Sequence, residues 1–78
     1  MSQEKLKAVF AETLEIPVAD VTDALAYGVA ETWDSIAHMA LIAAIEGAFD
    51  IMIETDDVID MSSFAKAREI VRKYGVEA

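Results

Sequence analysis

Apolar residues recur at helical steps near both ends of this chain and crowd together in its middle. Leu6, Val9, Phe10, Thr13 and Leu14 lie three and four residues apart, so a single stripe predicts an amphipathic helix over Gln3–Leu14. Ser2 is of the residue type that caps such a helix, and Pro17 sets its far limit, because the residue before a proline resists the α conformation. In the middle, Asp34–Ala48 reads as a second helix, with Asp34 as N-cap and Ser35 in the first turn. Its apolar positions cover nearly every side, which predicts a helix that is buried or that faces a partner or ligand. Ala37 stands where a capping box needs Glu, so that reciprocal bond is absent, and Gly47 weakens the end of the helix. Phe64, Ala67, Ile70, Val71 and Tyr74 make the stripe of a last helix, capped by Ser62 or Ser63. Basic residues and Gly75 supply its stop signals.

Between these stripes the pattern is weaker. Ile16–Trp33 is a long connection in which Thr22–Gly28 is expected to make a helical turn. Val18, Val21, Leu25 and Tyr27 are expected to tack it to the core. Phe49–Asp57 reads as an extended link, and Thr55 as the cap of a short helix over Asp56–Asp60. Asp56 and Asp57 suit the positive end of its dipole. Three main helices, one short helix and one long loop predict an all-α bundle, with residues 1–78 as one domain.

Composition narrows the function. Apolar residues make up 55% of the chain, which argues for a folded core despite a net charge of −9. There is no cysteine, so any thiol chemistry must be borrowed from a cofactor. No Lys or Arg occurs from Ala8 to Ala65, while twelve Asp or Glu do. That field repels nucleic acid and attracts basic protein surfaces, or it simply keeps an apolar protein in solution. The longest nearly apolar stretch, Ile36–Ile45, falls short of the ~20 residues of a membrane span. The N-terminus lacks the apolar run of a signal peptide, so a cytoplasmic protein is expected.

The chemistry candidates are few. Ser35 stands beside free backbone N–H groups and the positive end of a helix, and Asp34 already supplies the cap. The position therefore suits a phosphate ester on the serine hydroxyl. Ser35 and His38 are three residues apart, but no third group orients the histidine and no oxyanion hole is evident, so hydrolase chemistry is not expected. Asp50, Glu54, Asp56, Asp57 and Asp60 form an acid cluster without the spacing or turn glycine of a calcium loop. A solvated face is the plainer reading, and no metal site is assigned. Trp33 just before the cap reads as a hydrophobic staple, and Met39, Met52 and Met61 as core or pocket lining.

Asp34-Ser35-Ile36 at the head of an apolar helix, Glu46-Gly47-Ala48-Phe49-Asp50 at its end, an acidic short helix and a final amphipathic helix together resemble the acyl carrier proteins. The resemblance covers essentially the whole chain and is strongest from Trp33 to Tyr74. It implies a four-helix bundle and a non-catalytic carrier, on which a phosphopantetheinyl transferase attaches 4′-phosphopantetheine to Ser35, with Asp34 as its motif neighbour. Acyl groups then travel as thioesters between loading and accepting enzymes. In that light Ile36, Met39, Ile53, Val58, Ile59 and Met61 are the candidate acyl-pocket lining. Trp33, Glu46, Asp56 and Asp57 are the candidate partner surface, and a monomer is expected. The chain departs from similar carriers of fatty acid synthesis at Ala40, Gly47 and Ala48, where acids are usual, and only Glu46 keeps one. It looks instead like stand-alone carriers of lipid- or polysaccharide-modifying or secondary-metabolite pathways. Glu31-Thr32-Trp33-Asp34-Ser35 does not match the peptidyl carriers. A small helical interaction module without a prosthetic group is the competing expectation, with the second helix as its docking face.

Overall fold

The computed structural model describes the chain from Ser2, with side chains from Gln3 onward. The capping role expected of the Ser2 side chain lies outside the described residues. Helix α1 spans Ser2–Leu14, α2 Ser35–Phe49, α3 Thr55–Asp60 and α4 Phe64–Lys73, with a single 3-10 turn at Val18–Asp20. Among the described residues the only β pairing is an isolated bridge between Ala26 and Ser63. The fold is all-helical among the described residues, as the spacing of the apolar positions predicts.

The stripes behave as their spacing requires. Leu6, Phe10 and Leu14 of α1 meet Leu41 and Ile45 of α2 and Phe64, Ile70 and Val71 of α4 in one buried core. Phe10 is its centre, edge-on to Trp33 at 5.4 Å and to Phe64 at 5.1 Å between ring centroids. Edge-to-face contacts of this kind set the electropositive rim of one ring on the negative face of another. Helix α2 is not buried all round. Leu41, Ile42 and Ile45 face the core, whereas Ile36, Met39, Ala40 and Ala43 stand in solvent.

Caps explain where the helices begin. Asp34 accepts from the Ala37 N–H at 2.9 Å, and Ser63 accepts from the Lys66 N–H at 3.0 Å. Helix α3 departs from the expected pattern. Thr55 is already helical, Glu54 occupies the cap position without a side-chain bond, and the Glu54 N–H donates instead to the Tyr74 hydroxyl at 3.0 Å. The ends share one device. After α1, α2 and α4 a residue takes the left-handed conformation (Glu15 at φ 56°, Asp50 at φ 54°, Gly75 at φ 90°). In each case the next N–H reaches back five residues, from Ile16 to Ala11, Ile51 to Glu46 and Val76 to Val71. This is the Schellman closure, which satisfies carbonyls the helix leaves open. Two of the three closures use a non-glycine residue, so Gly47 sits inside α2 rather than at its end.

The stretch expected to make a helical turn, Thr22–Gly28, closes one turn, from the Leu25 N–H to Thr22 O at 3.0 Å, and paired backbone holds the rest of the long connection. The Tyr27 N–H donates to Ser62 O and the Phe64 N–H to Leu25 O, both at 2.9 Å. Asp23 adds an ion pair to Arg68 of α4 at 3.1 Å. Val21 is buried and Leu25 half-buried, but Val18 and Tyr27 are exposed, so only two of the four residues expected to tack the loop do so by burial.

Candidate functional site

Ser35 opens α2 and is exposed. Asp34 takes the Ala37 N–H and the Asp34 carbonyl takes that of His38, which leaves the N–H groups of Ser35 and Ile36 without a carbonyl inside the helix. Beside the serine lies a groove of about 260 Å³ lined by Tyr27, Ser35, His38, Met39, Val58, Ile59 and Ser62. The lining comes from the long loop, from α2 and from α3 with the turn after it. Its polar members are Tyr27, Ser35, His38 and Ser62, and among the described residues no Lys or Arg borders it.

The Ser35 hydroxyl is 2.9 Å from the Tyr27 hydroxyl. His38 is engaged elsewhere. The Trp33 indole N–H donates to His38 Nδ1 at 2.9 Å, and His38 Nε2 lies 2.8 Å from the Val58 carbonyl. An indole can only donate and a carbonyl can only accept, so Nδ1 is bare and Nε2 carries the proton. With both nitrogens committed, the imidazole has no lone pair to offer Ser35. His38 is a strut between the loop, α2 and α3, stacked on Trp33 at 22° and edge-on to Tyr27. Trp33 and His38 occupy the two positions of a hydrophobic staple, before the cap and four residues into the helix.

The candidate pocket residues divide. Met39, Val58 and Ile59 line the groove beside Ser35. Ile53 and Met61 do not, because both are packed into the core. Ile36 is 82% exposed and faces a separate hollow bordered by Thr13, Leu14, Asp34 and Ala40. The sequence reasoning missed Tyr27, His38 and Ser62 as groove lining.

The candidate partner surface divides as well. Trp33 is 1% exposed and belongs to the core, since its ring is enclosed by Phe10, Tyr27 and His38. Asp57 is buried, with one carboxylate oxygen accepting from Lys73 Nζ and the other from the Tyr74 hydroxyl at 2.6 Å. The bond from Lys73, and after it the one from Tyr74, holds the Asp57 carboxyl below the usual carboxylate range, and Asp57 in turn pushes Lys73 and Tyr74 up. Glu46 is half-buried and accepts from the Ile53 N–H at 2.8 Å, bracing the link after α2. Asp56 alone of the four is exposed. Among the described residues no three His, Asp or Glu side chains converge on a point where a metal ion could sit. No described helix is long and apolar enough to cross a membrane.

The model of one protein family, described as a phosphopantetheine attachment site, matches residues 4–72. A search of curated proteins finds no match.

Proposed function

The chain belongs to the phosphopantetheine attachment family, whose prosthetic group is covalent 4′-phosphopantetheine, and from that premise we propose that Ser35 is the attachment point. One observation carries this assignment. Ser35 is the exposed hydroxyl in the first turn of a helix capped by another residue, at the mouth of an apolar groove. The residues fit the group: two unpaired N–H groups and the positive end of α2 suit a phosphodiester, and Met39, Val58 and Ile59 suit the arm and its cargo. In the transfer, a bond forms between Ser35 Oγ and the phosphorus that bears pantetheine. The bond from that phosphorus to the rest of coenzyme A breaks, 3′,5′-ADP leaves, and the serine proton passes to a base of the transferase. The arm supplies the thiol that a chain without cysteine lacks, so acyl groups ride as thioesters.

Residues 1–78 then act as one non-catalytic carrier domain, visited by a transferase and by acyl-loading and acyl-accepting enzymes. We place it in a specialised lipid- or polysaccharide-modifying or secondary-metabolite pathway rather than in general fatty acid synthesis. What supports this is the surface beside Ser35, where Ile36, Met39 and Ile59 are 82%, 62% and 73% exposed, and the far end of α2, where Glu46 is spent on a backbone bond. The test is intact mass spectrometry after incubation with coenzyme A and a broad phosphopantetheinyl transferase, and with the source's own transferase should that one be inactive. The wild type is expected to gain one phosphopantetheine and folded Ser35→Ala none. A gain on Ser35→Ala, or no gain on the wild type with either transferase, overturns the assignment.

A further inference from the structure

We propose that Tyr27 is a positioning residue whose hydroxyl holds the phosphate of the arm on Ser35 and so aims the arm into the groove of Met39, Val58 and Ile59. The inference rests on Ser35 being the attachment point. Three features fix the Tyr27 ring without help from its hydroxyl. Its N–H is tied to Ser62 O at 2.9 Å, and its ring is edge-on to Trp33 at 6.2 Å and to His38 at 5.5 Å. Gly28 follows at φ 81°, a conformation that side chains resist, and turns the loop back toward Trp33. The hydroxyl is therefore free of any packing duty, and it is 2.9 Å from Ser35 Oγ.

In the unmodified chain either hydroxyl can be the donor. Esterification removes that choice, because Ser35 Oγ loses its proton and can only accept. Tyr27 must then donate, and the best acceptor in reach is an anionic oxygen of the phosphate, where the bond is charge-assisted. Among the described residues no Lys or Arg borders the groove to compete for that role. The helix N–H groups approach the phosphate from the α2 side and Tyr27 from the loop side.

Two measurements on the intact chain test this. The chain has only two tyrosines, and the hydroxyl of Tyr74 is committed to Asp57 and Glu54. With tyrosine labelled by 13C at Cζ, the Tyr27 resonance is expected to move when Ser35 is loaded while the Tyr74 resonance stays. Tyr27→Phe keeps the ring and removes the donor. In the loaded Phe variant the 31P resonance is expected to shift from its wild-type position, and nuclear Overhauser contacts from the pantetheine methyls to Met39 and Ile59 to be lost. Loading confirmed by mass with an unmoved Tyr27 resonance, or a Phe variant with wild-type 31P shift and contacts, overturns Tyr27 alone and leaves Ser35 standing. Failure of the wild type to load overturns the premise instead. Should Tyr27→Phe not fold, the labelled wild type decides by itself.

Discussion

Replacing His38 with alanine removes one side chain and breaks two bonds that hold different parts of the site together. The first leaves the indole N–H of a 1% exposed tryptophan without an acceptor. An orphaned buried donor costs about 1–3 kcal/mol. The second frees the carbonyl of half-buried Val58, which water can partly serve, so its loss is nearer the ~0.5–1.5 kcal/mol of an ordinary hydrogen bond. Together they destabilise the chain by about 2–4 kcal/mol. At roughly 0.05–0.15 kcal/mol per residue, a chain of this length is expected to hold about 4–12 kcal/mol, so the loss is a large share. At ~4–8 °C per kcal/mol the Tm falls by about 8–32 °C. Urea unfolding followed by far-ultraviolet circular dichroism measures it. A double-mutant cycle with Trp33→Phe isolates the shared bond, because the double variant leaves neither partner stranded, and a coupling of about 1 kcal/mol is expected. A His38→Ala stability within ~0.5 kcal/mol of wild type, or no coupling in the cycle, would refute the strut.

Acid should unlock α3 from α4. The folded Asp57 carboxyl lies below its ordinary value of 3.8, so its stabilisation is present above that pH and is lost as pH falls through the lower folded value. Urea midpoints of wild type and Asp57→Asn are expected to differ near neutrality and to converge below about pH 4; a difference that persists in acid counts against the latch. Glu15→Gly should raise stability by about 0.5–1 kcal/mol, because glycine meets the φ of 56° without a Cβ penalty. Thermal unfolding reads this directly, and a destabilised variant would show that the Glu15 side chain contributes more than its strained backbone costs.

Local chemistry made much of this legible. Asp34 and Ser63 cap as their types and positions require, and the stripes of α1 and α4 pack where their spacing puts them, whereas α2, apolar on nearly every side, gave no sign of which side would stay in solvent. What stayed hidden depends on partners far along the chain. The Schellman ends at Glu15 and Asp50 carry no glycine to announce them, and the acceptor for the N–H of Glu54, the cap residue of α3, is Tyr74, twenty residues away. Trp33 reads equally as core or as surface until Phe10 and His38 are seen to enclose it. Tyr27 is one aromatic in a long loop, and only the pairing of Ala26 with Ser63 brings it to Ser35. The Tyr27–Gly28 pair hinted at a turn but not at what the turn would face.

The same accounting bears on how a partner meets this surface. An acidic chain invites the view that carboxylates do the recognising, and Glu31, Asp56 and Asp60 are exposed for it, yet three other acids are employed within the fold. Asp34 caps α2, Glu46 braces Ile53 and Asp57 latches α4. Beside the serine Ile36, Met39 and Ile59 are each mostly in water. Covering side chains of this size is worth about 1.5–3 kcal/mol apiece, more than an exposed ion pair, whose worth is typically ~0–1 kcal/mol. The net charge of −9 still steers basic surfaces from a distance. On the proposed reading, charge sets how often a partner arrives at Ser35 and the cover it gives three apolar side chains adds to how long the encounter lasts.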